Sequence, residues 1–265
     1  MKKKLFVIRA SLGKRKRILL SIIVALILIS IWSFLSYTGR ISSLILPKPH
    51  SVIEAFKELT LEKDLALHIL WSFVRITTGF ILAIIIAFPL GILMGTFPII
   101  KHAIHPFTGP LRYLPIAALI PLFIVWFGMG ELMKILFLYV GIVVYLLPLV
   151  VEAVEDVDHV YLETAYTLKA TRWQIIRQVI IPAASPLIFE AMRVMNGIGW
   201  TYIILAEIIN APYGLGRLFT IAQKRSKTHW IFAGITIILI IGFVSDRLMA
   251  NYNAKKFAWK EASSK

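Results

Sequence analysis

The chain has no cysteine, which excludes disulfides, thiolate metal sites and thiol redox chemistry and leaves the compartment open. Charge is scarce as well: 16% of the 265 residues are Asp, Glu, Lys or Arg, where soluble domains carry about a quarter. Acidic side chains are the scarcest, 14 against 29 basic ones. No Ser/Pro-rich linker, low-complexity stretch or internal repeat divides residues 1–265, which read as a single domain. HExxH and GxSxG are both missing, so neither a zinc protease nor a serine hydrolase is supported. The only Gly-Lys pair, Gly13-Lys14, has no upstream glycine at P-loop spacing, so the chain does not hold a nucleotide in the usual way. His102 and His105 have metal-like spacing but no third ligand nearby, and read as a surface pair.

What the chain has in quantity is apolar surface. Hydrophobic residues make up 58% and the mean hydropathy is +0.80. A water-soluble fold of this size could not bury that much, whereas a lipid-facing one has no need to. Six apolar segments approach the roughly 20 residues a bilayer requires: Ile18–Leu35, Ile69–Phe97, Leu114–Phe127, Leu132–Val151, Leu187–Ile209 and Trp230–Met249. The third is short and interrupted by Pro115 and Pro121. The expected fold is all-α: a polytopic membrane protein whose six transmembrane helices occupy residues 18–250. Within the second segment Gly91 and Gly95 form a GxxxG pair that permits close helix approach. Ile18–Leu35 is too long for a signal-peptide core and lacks a small-residue cleavage pattern after it, so it reads as an uncleaved first span.

The net charge of +15 might suggest nucleic acid, but its distribution argues otherwise. Eight of the 29 basic residues precede the first span: Lys2, Lys3, Lys4, Arg9, Lys14, Arg15, Lys16 and Arg17. The rest are scattered without interleaved aromatics, so no nucleic-acid partner is expected. With both termini placed in the cytoplasm, 18 Lys/Arg fall inside and nine outside, and Arg75 and Arg193 lie within spans. That bias predicts a plasma (inner) membrane protein with both termini cytoplasmic.

Two segments outside the spans look helical. After Leu46-Pro47-Lys48-Pro49, Ser51 and Glu54 have capping-box spacing ahead of Val52, Ala55, Phe56 and Leu59, which predicts an amphipathic helix on the outer surface. Residues 152–186 are too polar to cross the membrane and too regular for a loose loop. Asp156 and Asp158 can cap a short helix running to about Ala170. Thr171 and Gln174 can then box-cap a second, with Trp173, Ile176, Val179 and Ile180 on one face and Pro182 and Pro186 ending it. The pair would form a compact cytoplasmic knob.

The fifth span carries Glu190, Arg193, Asn196, Trp200 and Glu207 within about a third of the helix circumference. Such a stripe faces either a translocation path or dimer interface, or else an i,i+3 Glu190–Arg193 ion pair merely holds the bundle together. Both readings stay open. Arg75 with Trp71 reads as an anchor at the outer interface, and Asp246 with Arg247 as contacts at the end of the sixth span.

Glu163-Thr164-Ala165, followed at a fixed interval by Val179-Ile180-Ile181-Pro182, resembles the EAA loop of type I ABC importer permeases, whose pattern is Glu-Ala-Ala, three residues, Gly, nine residues, then Ile-x-Leu-Pro. Thr164 replaces an Ala and Lys169 replaces the Gly, a conformationally permissive residue. Four further stretches resemble the nitrate/sulfonate/taurine/bicarbonate branch: Leu46-Pro47-Lys48-Pro49, Trp71-Ser72-Phe73-Val74-Arg75, Trp126-Phe127-Gly128 and Tyr213-Gly214-Leu215-Gly216. The resemblance implies a permease that is not itself an enzyme and has no cofactor of its own, with ATP and Mg bound by two cytoplasmic ABC ATPase subunits. It implies a second permease copy, a homodimer ahead of a heterodimer, an extracytoplasmic solute-binding protein, and surrounding lipid. ATPase coupling would fall to Glu163, Thr164, Ala165, Lys169, Arg172 and Pro182. The implied cargo is a small anion or organic acid of the nitrate, sulfonate, taurine or bicarbonate class. A neutral vitamin precursor is the alternative cargo, and a secondary transporter or channel subunit the alternative class.

Overall fold

The computed structural model describes residues 13–259. Lys2, Lys3, Lys4, Arg9, Lys260 and Lys265, which contribute to the charge bias, lie outside the described residues. Every regular element among the described residues is helical. Five helices are long and apolar enough to cross a membrane: α1 (Lys14–Tyr37), α3 (Leu65–Thr96), α6 (Glu131–Glu155), α9 (Ile181–Ile208, extended backwards to Arg172) and α11 (Thr228–Lys256). The predicted third span is not one helix. Here α4 (Pro98–Thr108) and a 3-10 turn at Pro110–Tyr113 meet a second 3-10 turn at Ile116–Leu119 and α5 (Ile120–Phe127) at a 96° bend. Pro115 supplies the reason: it has no amide to donate and pushes the preceding residue out of the helical region, and Leu114 is extended at ψ 122°.

The centre of the bundle is α3 against α6. Apolar burial contributes little to helix pairing in lipid, so contact depends on close backbone approach. On α3, Gly79, Ala83, Ala87, Gly91 and Gly95 recur every four residues and form one small-residue ridge. A Cβ placed on Gly91 would sit 2.6 Å from Val150 Cγ1, and one on Gly95 would sit 2.7 Å from Val154 Cβ. The GxxxG pair is thus a contact surface, continued to Gly79 beneath Leu138.

Helix α1 is peripheral, with no residue buried along its apolar window. Near its end Trp32 donates to Pro47 O at 3.0 Å and stacks on Phe232. The amphipathic helix α2 (Pro49–Glu62) buries Val52, Ala55 and Leu59 as its pattern predicts. Its start differs from the expectation: Pro49 occupies the first turn behind Lys48, and Ser51 makes no cap bond, since proline at that position is already preorganised for a helix. Glu58 instead ties α2 to α11, accepting from Lys227 Nζ at 2.9 Å and Trp230 Nε1 at 2.8 Å.

Two short helices complete the chain. One is α7 (His159–Thr167) and the other α10 (Leu215–Lys224); α8 (Arg172–Ile175) is a single turn that continues through a π-helical turn, Ile176–Ile180, into α9. Pro182 cannot donate to the carbonyl four residues back. The backbone widens there, and the Ile181 amide reaches five residues back to Ile176 O. Neither Pro182 nor Pro186 ends the segment, and the second knob helix is the beginning of α9.

Candidate functional site

The knob is built from caps. Asp158 accepts from the Val160 amide at 3.0 Å and starts α7, while Asp156 ends α6 instead. Thr171 and Gln174 form the expected capping box, the Thr171 amide donating to Gln174 Oε1 at 2.8 Å. Between them α7 stops at Thr167, three residues before the expected end. The Lys169 amide donates to Tyr166 O and the Ala170 amide to Ala165 O, with Lys169 at φ +57°. This is a Schellman stop, whose left-handed residue is ordinarily glycine. Lys169 therefore keeps the turn that a glycine would make, at a conformational cost.

Ala165 is buried, as are Ile175, Ile176 and Ile180, which seat the knob on Val154 and Val157 at the end of α6. Trp173 is not on that face. It is 67% exposed and Ile175 takes the inward place. Glu163, Thr164, Lys169, Arg172 and Pro182 all face outward. Beside them Tyr161, Tyr166, Leu168 and Trp173 give the knob an outward apolar surface, bordered by a groove of about 400 Å³ that Trp259, just past the end of α11, also lines.

The polar stripe on α9 divides. Arg193 donates to Glu190 Oε2 at 2.8 Å and to Asp246 Oδ1 at 2.7 Å, and Asn196 donates to Ser245 Oγ at 3.1 Å. These side chains bind α9 to α11. Asp246 lies well inside α11, which runs a further turn and more to Lys256, and so makes no helix-end contact. Trp200 is packed in the core. Glu207 is fully buried and belongs to a second constellation at the opposite end of the bundle from the knob.

That constellation was the part least visible in the sequence. Arg75 is no interface anchor: it is 1% exposed and donates four hydrogen bonds. Its Nε and Nη2 reach Glu131 at 2.6 and 2.8 Å, and Nη1 reaches Glu207 Oε1 and Tyr213 O, each at 2.7 Å. Trp71 lies against the guanidinium. Ser72 Oγ donates to Glu207 at 2.8 Å and accepts from the Leu215 amide at 2.9 Å, and the Gly216 amide donates to Glu207 Oε2. Lys134, one of the nine basic residues counted outside, is buried in the first turn of α6, donating to Gly130 O at 3.1 Å and lying 3.5 Å from Glu131. Two cations meet two carboxylates, so the cluster is neutral. A Cβ on Gly214 (φ +127°) would collide with the Glu207 carboxylate, so the loop needs glycine there for both its backbone angle and the space. Three of the four stretches that carry the branch resemblance bear on this cluster: Trp71–Arg75 and Tyr213–Gly216 enter it directly, and Trp126-Phe127-Gly128 leads into Glu131. A signal was therefore present in the motifs, but their meeting was not.

Residues 79–257 match the family described as binding-protein-dependent transport system inner membrane component. The taurine transport system permease protein TauC of Escherichia coli K12 is 32% identical over 236 residues, covering 87% of this chain and 86% of that one. The nitrate import permease protein NrtB of Synechocystis is 26% identical over 233 residues, with 84% of each chain covered. Among solved structures, an inward-facing MetNI methionine ABC transporter aligns at a TM-score of 0.60 and 19% identity, over 71% of this chain and 96% of that one, a likeness of fold.

Proposed function

The chain belongs to the family of binding-protein-dependent transport system inner membrane components, and from that premise we propose that it carries a small anion, of the sulfonate, taurine or nitrate class, released by an extracytoplasmic binding protein. It is the membrane-spanning permease subunit of an ABC importer, and ATP hydrolysis resides on a separate subunit. The proposed assembly has two copies of this chain, two ATPase subunits holding ATP and Mg, and surrounding lipid. The knob and both termini lie in the cytoplasm, and the Arg75 cluster lies toward the outside.

One observation carries the mechanism: α8, the second half of the capped knob, runs through the π turn into α9, and α7, with most of the outward apolar side chains, joins it through the turn at residues 168–170. Closure of two ATPase subunits is a rigid-body movement that needs a stiff receiver. Exposed aromatic and aliphatic side chains at Tyr161, Tyr166, Leu168 and Trp173 form the kind of patch that marks a protein interface. Glu163, Thr164, Lys169 and Arg172 present the polar border of that patch, Pro182 lines the groove beside it, and Ala165 holds it to the bundle. We assign the α9 stripe from Glu190 to Asn196 to holding α11, and Trp200 and Glu207 to packing.

Ala165→Pro tests the coupling. Proline inside a helix costs about 3 kcal/mol or more, enough to disorder α7 while the spans stay inserted. Binding-protein-stimulated ATP hydrolysis and uptake should be lost in proteoliposomes, with the permease still in the membrane. Undiminished uptake would remove the coupling role. Uptake of taurine or nitrate by the wild-type complex tests the cargo, and import of a neutral heterocycle without any anion would reverse it.

A further inference from the structure

The bend between α4 and α5 puts irregular backbone deep in the membrane. Tyr145 Oη donates to Arg112 O at 3.2 Å, and Ile116 packs beside Gly141. Both partners lie in the middle of α6, Tyr145 standing ten residues before Glu155, or ~15 Å along the axis. Glu155 itself marks the knob end, where it pairs with Lys101 at 2.6 Å. Even so, residues 110–115 are exposed on the surface of the chain. Non-helical backbone at such a depth cannot face lipid; it must line water or be covered by protein.

Arg112, one of the 18 basic residues counted inside, stands instead at this bend and adds a charge to that argument. Its guanidinium lies beside Tyr113, with Nη2 3.1 Å from the Tyr113 hydroxyl. Among the described residues no carboxylate stands within ion-pair distance of it. An intramembrane cation without a counter-charge is costly unless it faces water or an anion. Below it, a cleft of about 200 Å³ runs along α4 and α6 past Thr108 and His105 to Lys101 at the knob end, where Glu152 and the Lys101-paired Glu155 also line it.

We propose that Arg112, at the mid-membrane bend, is the anion-contacting residue of the translocation path, and that the cleft leading to Lys101 is the way from it toward the knob end. This rests on the anion-importer reading above. The guanidinium supplies charge and paired donors matched to a sulfonate, carboxylate or nitrate.

The chain's lack of cysteine makes the test direct. Tyr113→Cys and, as a lipid-facing comparison, Ile27→Cys on α1 are placed in the complex with its ATPase and binding protein in proteoliposomes. Each is treated with charged methanethiosulfonate reagents, which need a hydrated thiolate. Tyr113→Cys should be labelled, faster by the anionic reagent than by the cationic one, and Ile27→Cys should not. Adding Arg112→Gln should abolish the charge preference. In uptake of radiolabelled taurine, Arg112→Gln should lose about tenfold or more, the loss expected for one charge-assisted hydrogen bond. Arg112→Lys should recover part of it, with ATPase association unchanged in both. Unlabelled Tyr113→Cys, or Arg112→Gln transporting like wild type, overturns the contact alone. A wild-type complex that imports only neutral solutes overturns the cargo reading and this inference together.

Discussion

Arg75 joins segments far apart in the chain: its own helix, the start of α6 through Glu131, the end of α9 through Glu207 and the loop after it through Tyr213 O. Taking such charges out of water is expensive, and what holds the cluster together is that each has a partner. Removing one partner should therefore cost more than removing a pair. Arg75→Met should destabilise by about 3–5 kcal/mol, read as a loss of folded protein in detergent on heating. Combining it with Glu207→Met should recover part of that loss, and strictly additive effects would count against the network. At the other end Lys169 sits at φ +57°, a conformation costing non-glycine residues about 1–2 kcal/mol. Glycine would relieve that cost while giving back about 0.5–1 kcal/mol of unfolded-chain entropy. Lys169→Gly should leave coupling intact and slow chymotryptic nicking at Tyr166 and Leu168; faster nicking would contradict the strain.

At the scale of elements, the long spans were legible because an apolar run of bilayer length has few other uses. Legible too were the small residues along α3, the apolar face of α2 and the Thr171–Gln174 box, all local patterns. What local patterns could not show was whether a proline ends a helix or sits within it. Pro115 breaks the third span, whereas Pro182 and Pro186 are absorbed into α9, and the difference lies in what packs around them. Trp173 faces outward ahead of the π turn, where α8 turns Ile175 and Ile176 to the bundle instead. The Arg75 cluster needed pairings across 56 and 132 residues, which spacing alone does not give. One element contact carries a pH dependence. Hydrogen bonds from Lys227 and then Trp230 hold the Glu58 carboxyl below its ordinary range, against a smaller opposing effect of burial. A depressed carboxylate stabilises above its unfolded pKa and loses that contribution as pH falls through the folded one. The α2–α11 contact should thus be intact at neutral pH and weaken in acid below the usual carboxylate range. Hydrogen exchange of the α2 amides followed down that range should rise, and Glu58→Gln should remove most of the change.

For the molecule as a whole, topology is the first thing to measure. Reporter fusions should report the outside at Thr60 in α2 and the cytoplasm at His159 in the knob and at Lys265. A cytoplasmic signal at Thr60 would invert the arrangement proposed here. The run from Arg172 to Ile208 is 37 residues with no terminating break, or ~55 Å of helix. One of its ends carries Trp173 and the proposed ATPase-facing side of the knob, and the other carries Glu207. A push-rod of that kind has no independent ends: whatever displaces the knob tilts or shifts the site where Arg75, Glu131 and the 213–216 loop converge. The widened turn at Ile176–Ile180 is the rod's one irregular joint, so the stroke delivered to the far side is set by how much that joint yields.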